Sequence, residues 1–155
     1  MDIRPMETRP PPLSTVVFAS DHAGVDLRLH LCNLVQGWGY SVLDLGPPAG
    51  ESVDYPDYAD KLADALKSSP VSVGVLICGS GIGISIAANR HAHIRAALVS
   101  DSLSARLARE HNNANVIALG ARLIGPDLAA DAVKQFLTTG FDGGERHARR
   151  VAKLG

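Results

Sequence analysis

The segment VSVGVLICGSGIG, residues 71–83, carries the clearest structural signal in this chain of 155 residues. Its first part, Val71 to Cys78, is a nearly continuous apolar run, which is typical of a strand buried on both faces of a sheet. Glycines at alternate positions follow, and they lead into a helix that we predict from about Ile84 to Arg90. A buried strand, a glycine-rich turn and a helix in this order indicate a parallel α/β sheet.

The same alternation extends over most of the chain. Short apolar runs predict four further strands, at residues 15–20, 40–45, 94–100 and 115–119. Helices are predicted from about Leu27 to Trp38 with Gly39 as the stop, from Pro56 onward, over residues 101–110, and from Pro126 to a stop at Gly140. Connections this short require right-handed crossovers between parallel strands. We therefore predict a single α/β domain over residues 15–155: a doubly wound, Rossmann-like or flavodoxin-like sheet of five parallel strands with helices on both faces.

Composition and charge exclude several classes of function. The chain has 15 Lys and Arg against 16 Asp and Glu, 46% hydrophobic residues and a mean hydropathy of +0.07. A net charge of −1 lacks the basic excess needed to bind nucleic acid or an anionic membrane, and no apolar stretch approaches the ~18 residues of a membrane span. Two cysteines are too few for a disulfide framework. Residues 1–14, rich in proline and charge and without a secretory pattern, predict a disordered extension and a cytoplasmic protein.

Ligands of doubly wound sheets bind outside the carboxyl ends of the strands. This rule selects Asp21 and His22 after the first strand, residues 78–83 after the third, Asp101 after the fourth and residues 120–122 after the fifth. Loops at these positions stand on a rigid frame, which is where binding and catalytic groups concentrate.

The glycine loop is the most informative of these segments. Alternate glycines in residues 79–83 allow several backbone N–H groups to converge on an anion at a helix N-terminus, and the same positive end would favour the thiolate of Cys78. The structural alternative is a tight turn after a buried thiol. A dinucleotide fingerprint is a further alternative, because Asp101 follows Gly81 at the spacing of a ribose-binding acid, but Ile84 stands where that motif needs Gly or Ala.

Two histidine segments have both a structural and a chemical interpretation. Asp21 is either a helix N-cap or a carboxylate that orients His22. His111 is either a charge that compensates a helix dipole or, at the mouth of the sheet, a proton-transfer group. His91 and His93 lack a third ligand at metal spacing, so we interpret them as solvated or hydrogen-bonded and predict no metal site.

Three arginines are candidate anion ligands. Arg122 follows a strand, where it is either solvent-facing or a ligand clamp. Arg146 and Arg150 are four residues apart, so on a helix they share one face and can grip a phosphate, with His147 adding positive charge; a solvated basic tail is the alternative. Cys32, inside the first helix, is predicted to be a small core residue. Together with the glycine loop, the arginines indicate a small, singly phosphorylated ligand.

Five motifs carry a resemblance to a known family. They are FASDHAG at residues 18–24, DYPDYA at 54–59, LICGSGIGISIAANR at 76–90, REHNNANVIALGAR at 109–122 and RHARRV at 146–151. In order and spacing they are similar to the B-type ribose-5-phosphate isomerases and to their relatives, the galactose-6-phosphate isomerase subunits. The resemblance extends from about Val16 to Val151, so we expect residues 15–155 to form a sugar-phosphate isomerase domain.

The resemblance implies an aldose–ketose isomerase that interconverts ribose 5-phosphate and ribulose 5-phosphate through ring opening and a cis-enediolate, with no metal or organic cofactor. Cys78 matches the base that moves a proton between C1 and C2, and Ser80 matches a residue that shuttles protons between the two oxygens. His111 matches the group that opens the furanose ring, with Asp21 nearby. The matched substrate-binding residues are Gly79, Gly81, Ile82 and Gly83 in the anion hole, Asn112 and Tyr55 in the pocket, and His22, Arg122, Arg146 and Arg150 on the phosphate.

The resemblance also implies a homo-oligomer. Family members form dimers or tetramers in which the segment matching residues 111–122 reaches the active site of a neighbouring subunit. The choice of sugar stays open, since another aldose phosphate of four carbons, or a six-carbon one such as allose or galactose 6-phosphate, is an alternative. A non-catalytic sugar-phosphate-binding or nucleotide-binding module is a second alternative.

Overall fold

The computed structural model describes residue 13 and residues 15–155. Its strands are β1 (Val16–Ser20), β2 (Val42–Asp44), β3 (Val73–Cys78), β4 (Ala96–Leu98) and β5 (Val116–Gly120). Its helices are α1 (Val25–Gly37), α2 (Tyr55–Lys67), α3 (Ile82–Asn89), α4 (Ser102–Glu110), α5 (Pro126–Thr138) and α6 (Glu145–Ala152), and a 3₁₀ turn, His22–Gly24, precedes α1. The predicted disordered extension lies outside the described residues except for Leu13, which packs against the core.

The five strands form one parallel sheet in the order β2-β1-β3-β5-β4. The central strand β3 pairs with β1 on one side and β5 on the other, and Cys78 at its carboxyl end lies opposite Gly120. The chain reverses its direction of growth between β1 and β3, which makes the carboxyl ends of these two strands the switch point of the sheet. The predicted doubly wound, five-stranded fold is confirmed.

The predicted boundaries of β1 to β4 are too wide, whereas β5 has the predicted length and is shifted by one residue. β2 and β4 contain 3 residues each, because each is an edge strand with a ladder partner on one side only. β3 begins at Val73 rather than at Val71, whose side chain is 50% exposed before the strand enters the core. The helix after the glycine loop begins at Ile82, two residues before the predicted Ile84, since Gly81 already serves as its N-cap.

Helices cover both faces of the sheet, as predicted. α1, α4 and α5 bury their apolar stripes against one face, while α2 and α3 cover the other. A Cβ atom at Gly74 in β3 would lie 2.7 Å from Cδ2 of Leu62, so the absent side chain lets α2 sit directly on the central strand. Such close packing fixes the position of the loops after β1 and β3 relative to α2.

A buried arginine holds the loop after β2. Arg28 in α1 is 2% exposed, and its guanidinium donates hydrogen bonds to the hydroxyl of Ser20 and to the carbonyl of Pro47. Its Nε lies 2.9 Å from Oδ1 of Asp44, at an angle too poor for a hydrogen bond. A buried cation without its acceptors would be costly, so this cluster ties β1, α1 and the β2 loop into one unit.

No helix among the described residues is both long and apolar enough to cross a membrane.

Candidate active site

A cavity of about 480 Å³ opens at the switch point of the sheet. Eight of the residues predicted from the sequence line it: Asp21, Tyr55, Cys78, Gly79, Ser80, Ile82, Gly83 and Arg122. Leu123, which the sequence did not single out, lines it as well. We call this cavity the thiol pocket.

Cys78 lies at the base of the thiol pocket with its side chain 4% exposed. The N–H of Gly81 donates a hydrogen bond to its Sγ at 3.2 Å, and a donor at this distance stabilises negative charge on the sulfur. Gly81 has φ +78°, and a Cβ there would lie 2.9 Å from the carbonyl carbon of Leu119. Only glycine therefore allows the loop to turn its amide toward the thiol.

The remaining loop amides differ in availability. The N–H of Ile82 donates to the hydroxyl of Ser80 at 3.2 Å, so it is already used inside the loop. The N–H groups of Gly79 and Ser80 take part in no hydrogen bond with another described residue. Both residues line the thiol pocket, which leaves their two amides available to an anion beside Cys78.

Glycines bring the walls of the thiol pocket together. A Cβ at Gly83 would lie 2.6 Å from Cζ of Tyr55, so the tyrosine ring rests directly on the loop. A Cβ at Gly79 would lie 3.2 Å from Nη1 of Arg122, which places the guanidinium over the opposite side of the loop. At the back, a Cβ at Gly120 would lie 2.6 Å from the carbonyl oxygen of Ser80, so β5 and the loop touch through their backbones.

Asp21 and His22 are adjacent in the sequence, but their side chains make different contacts in the structure. Asp21 caps the 3₁₀ turn by accepting a hydrogen bond from the N–H of Ala23 at 3.0 Å, which confirms the capping interpretation. Asp21 also lines the thiol pocket, but the ring of His22 bonds to Val53 rather than to Asp21, so the expectation that Asp21 orients His22 is wrong. His22 is exposed, and its Nδ1 accepts a hydrogen bond from the N–H of Val53 at 3.2 Å, before α2.

His111 does not lie at the mouth of the sheet, which corrects the expectation from the sequence. It is the C-cap of α4, a helix that runs back from the carboxyl end of β4 to the amino end of β5. β5 has 5 residues and so spans about 16 Å at about 3.3 Å per residue. His111 is therefore at the edge of the domain opposite the thiol pocket, and Asp21 of the same chain is not its neighbour.

A second cavity, of about 470 Å³, surrounds His111. It is lined by the end of α4 and by the segment 138–142, and it shares no lining residue with the thiol pocket. The ring of His111 stacks on that of His147 in α6, with centroids 4.4 Å apart and planes 4° apart. We call this cavity, together with the stacked rings of His111 and His147, the histidine edge.

The predicted phosphate ligands lie at two separate places, near the thiol pocket and near the histidine edge. Arg122 lines the thiol pocket, whereas His22 is not one of its lining residues and bonds to Val53 before α2. Arg146 and Arg150 lie on one face of α6, exposed, on the helix that carries His147. Asn112 lines a third cavity of about 570 Å³ that runs along the edge strand β4. One chain therefore does not bring all the predicted ligands together.

Two arginines that the sequence did not single out hold the turn after His111. Arg109 donates from Nη1 to Oδ1 of Asn113 at 3.1 Å and to the carbonyl of Ala114 at 2.6 Å, and from Nε to the carbonyl of Thr139 at 3.2 Å. Nε of Arg95 donates to the carbonyl of Asn113, whose φ is +46°. Burial lowers the pKa of both guanidinium groups below its usual value. Neither Arg109, inside α4, nor Arg95, just before β4, gives a sequence signal of this clamping role.

The structure decides two alternative readings of the sequence. Asp101 accepts a hydrogen bond from the N–H of Ser104 at 2.7 Å in a capping box that begins α4, and the hydrogen bonds from Ser104 lower the pKa of the Asp101 carboxyl. This acid is thus used in the helix start, which removes the ribose ligand of the dinucleotide reading. His91 and His93 are hydrogen-bonded, as predicted, to Oδ1 of Asp60 and to the carbonyl of Ala63, each at 2.7 Å.

The other cysteine is part of the core, as predicted. Cys32 is 7% exposed, and burial, followed by the charge of Asp44, raises the pKa of its thiol to about 12. This thiol stays protonated at neutral pH and, unlike Cys78, does not line the thiol pocket. Among residues 13 and 15–155, no three or more His, Cys, Asp or Glu side chains form a group that could hold a metal ion.

Comparisons with known proteins place this chain among sugar-phosphate isomerases. The family model described as Ribose/Galactose Isomerase matches residues 16–154. Ribose-5-phosphate isomerase B of Escherichia coli is 42% identical over 142 residues, which cover 92% of this chain and 95% of the relative. D-erythrulose-4-phosphate isomerase of Pectobacterium atrosepticum is 43% identical over 142 residues, which cover 91% of this chain and 93% of the relative.

Solved structures of ribose-5-phosphate isomerases B also superpose on this chain. Ribose 5-phosphate isomerase B from Anaplasma phagocytophilum superposes with a TM-score of 0.88 at 53% identity, over 92% of this chain and 97% of that one. Ribose-5-phosphate isomerase B from Mycoplasma genitalium, solved with bound ribulose-5-phosphate, superposes with a TM-score of 0.86 at 40% identity, over 92% and 95% of the two chains.

Proposed function

This chain belongs to the ribose/galactose isomerase family, and we propose that it interconverts the aldose ribose 5-phosphate and the ketose ribulose 5-phosphate. The observation that carries the proposal is the placement of Cys78 in a pocket at the switch point of the sheet, beside two unused backbone amides. A thiolate beside N–H donors provides a base and an anion hole, which are the groups that enediolate chemistry requires. The relatives from Escherichia coli and Mycoplasma genitalium, which bear the name ribose-5-phosphate isomerase B, support this choice of reaction.

Cys78 acts as the base in the proposed mechanism. Its thiolate removes the proton from C2 of the open-chain aldose, the electron pair forms the C1–C2 double bond, and O1 takes the negative charge. The thiol then returns the proton to C1 while a proton passes from O2 to O1, which leaves the ketose. Ser80 lines the same pocket, and its hydroxyl is the group we assign to this transfer between the oxygens.

The backbone of the glycine loop stabilises the enediolate. The free N–H groups of Gly79 and Ser80 are the donors we assign to its oxygen, and removal of one donor from such a hole costs roughly 10²–10³ in kcat in known enzymes. The hydrogen bond from Gly81 to Cys78 assists the first step, because it stabilises the thiolate before the proton moves.

Ring opening requires a second subunit. We assign to His111 the donation of a proton to the ring oxygen as the bond from that oxygen to C1 breaks, while the C1 hydroxyl gives its proton to Asp21. The thiol pocket and the histidine edge lie at opposite edges of the domain. His111 can therefore reach a sugar at Cys78 only from another copy of the chain. A two-fold dimer with shared sites satisfies this requirement.

The phosphate ligands fit the same arrangement. Arg122 lines the thiol pocket and His22 follows Asp21, which also lines it, whereas Arg146 and Arg150 lie on α6 beside the histidine edge. We propose that the histidine edge of one subunit closes over the thiol pocket of the other, so that four basic groups from two chains surround one phosphate. Pairs of arginines suit this task because each guanidinium binds phosphate oxygens with two parallel donors.

An apolar surface beside the thiol pocket supports the dimer. Ile82 and Ile86, one turn apart on α3, are 50% and 61% exposed, and Leu98 on the edge strand β4 is 47% exposed. Exposed apolar side chains grouped next to an incomplete site are typical of an interface between subunits.

The base is tested by exchanging each cysteine in turn. Cys78→Ala should lose at least about 10²-fold in kcat for ribose 5-phosphate while it still binds the sugar, because the anion site remains. Cys32→Ala is the matched control, and it should keep wild-type kcat since its thiol is buried away from the pocket. A fully active Cys78→Ala enzyme would refute the assignment of the base.

The shared site is tested by mixing inactive variants. Cys78→Ala and His111→Asn should each be inactive on ribose 5-phosphate, but a hybrid dimer has one site that carries neither change. Random reassociation of equal amounts should therefore restore about a quarter of the wild-type activity. If the mixture stays inactive while chemical cross-linking detects hybrid dimers, both groups belong to one subunit's site.

A four-carbon aldose phosphate is a second candidate substrate. The relative from Pectobacterium atrosepticum, at 43% identity, is named D-erythrulose-4-phosphate isomerase, and the same proton transfer serves both sugars. Measuring kcat/KM for four-, five- and six-carbon aldose phosphates decides between them. The five-carbon proposal fails if the four-carbon sugar has the higher value.

A further inference from the structure

The ring of His111 has little to hold it in place. The residue is exposed at the end of α4, and its imidazole makes no hydrogen bond with any described residue. If such a ring rotated freely, the N–H that must deliver the proton would point in several directions. The contact that constrains it is the face-to-face stack on His147, with centroids 4.4 Å apart and planes 4° apart.

His147 is held more firmly than His111. Its side chain is 13% exposed, and its Nε2 lies 3.6 Å from Oδ2 of Asp142. The N–H of Asp142 donates to the carbonyl of Glu110 at 2.9 Å, which ties the segment before α6 to the last residue of α4. The stack therefore joins two anchored elements, and its orientation follows from their packing.

We propose that His147 is a positioning residue for His111, holding the imidazole in the plane from which it protonates the ring oxygen of the aldose. This inference rests on the proposed function, because it assigns a partner to the ring-opening step. Stacked rings restrict the tilt and rotation of both partners. A misplacement of about 1 Å in a reacting group can cost about 10²-fold in rate, so the loss of this restraint has a measurable effect.

Two substitutions of His147 distinguish the effect of its stacked ring from the effect of its contact with Asp142. His147→Phe keeps a flat ring against His111 but cannot pair with Asp142. His147→Gln keeps a polar group that can reach Asp142 but removes the ring. His93→Gln is the matched control, since His93 is also partly buried and hydrogen-bonded, but to the carbonyl of Ala63, away from both edges.

The readout compares two substrates that differ in ring chemistry. Ribose 5-phosphate is a furanose and needs ring opening, whereas erythrose 4-phosphate, the four-carbon aldose phosphate, cannot close such a ring because its C4 hydroxyl carries the phosphate. His147→Gln should lower kcat/KM for ribose 5-phosphate about tenfold and change kcat/KM for erythrose 4-phosphate less than about twofold. His147→Phe and His93→Gln should stay within about twofold of wild type on both sugars.

Three outcomes would overturn the inference: wild-type activity of His147→Gln on ribose 5-phosphate, an equal loss on both sugars, or an equal loss in His147→Phe. The ring protons of His111, measured by NMR, give a readout without substrate, since removal of the stacked ring should shift them downfield in His147→Gln. If these protons do not shift, His147 does not orient His111. If the wild-type enzyme fails to convert ribose 5-phosphate while the shift is present, the proposed function fails and the stack stands.

Discussion

Gly83→Ala should separate activity from stability in this protein. The added Cβ would lie 2.6 Å from Cζ and 2.7 Å from Cε1 of Tyr55. An ordinary contact begins near 3.4 Å, so the tyrosine ring must withdraw by about 0.8 Å from the loop that carries Cys78. Tyr55 is 39% exposed and can swing toward solvent, which means that the fold absorbs the change but the pocket wall moves.

The magnitude follows from these distances. A shift close to 1 Å in a pocket wall is expected to lower kcat/KM for ribose 5-phosphate by about tenfold to a hundredfold. Gly83 lies inside α3, where alanine in place of glycine favours the helix by about 0.5–1 kcal/mol. The melting temperature should therefore stay level or rise by a few degrees while activity falls.

The assay combines steady-state kinetics with thermal unfolding of matched variants. Gly37→Ala is the control, since it is a helical glycine at the end of α1 with nothing within 4 Å of its added Cβ. It should gain stability and keep full activity. In a Tyr55→Ala background, Gly83→Ala should add almost no further loss, because the clash that it causes has been removed. Full activity of Gly83→Ala alone, or equal losses with and without Tyr55, would refute the reasoning.

Three further predictions concern the scaffold around the two edges. Because burial raises the pKa of Cys32 to about 12 and a thiol in the unfolded chain ionises near 9.0, the native state binds the extra proton between these values. Wild type should thus lose up to about 1.4 kcal/mol of unfolding free energy per pH unit above pH 9, a slope absent in Cys32→Ala. Arg28→Met should cost about 2 kcal/mol in urea unfolding, because it leaves the buried hydroxyl of Ser20 and the carbonyl of Pro47 without their donor; a loss below about 1 kcal/mol would contradict the clamp. Arg109→Lys, which cannot reach three acceptors at once, should lower kcat/KM about tenfold, whereas the exposed Arg90→Lys should not; equal values in the two variants would dismiss the role of Arg109.

Much of the fold was readable from local pattern. The apolar run that ends at Cys78, the alternate glycines and the helical stripes predict the five parallel strands and the helices on both faces, because each element buries its own periodic set of residues. Strand ends were less predictable, since the length of an edge strand depends on its single partner. Most residues of the thiol pocket were also readable, because they follow strands whose carboxyl ends meet at one edge; Tyr55 was expected only from the family resemblance, and Leu123 was not expected.

The sequence by itself determined which residue types are present: a thiol beside alternate glycines, a histidine with two amides, and a basic last helix. Only the tertiary structure decided that these groups lie at two opposite edges. The physical reason is the direction of the crossover helix α4, which runs against the strands and carries His111 away from the loops after β1 and β3. The stack of His111 on His147 and the hydrogen bond from Arg109 to the carbonyl of Thr139 were equally hidden, because both join elements distant in sequence that meet only through packing.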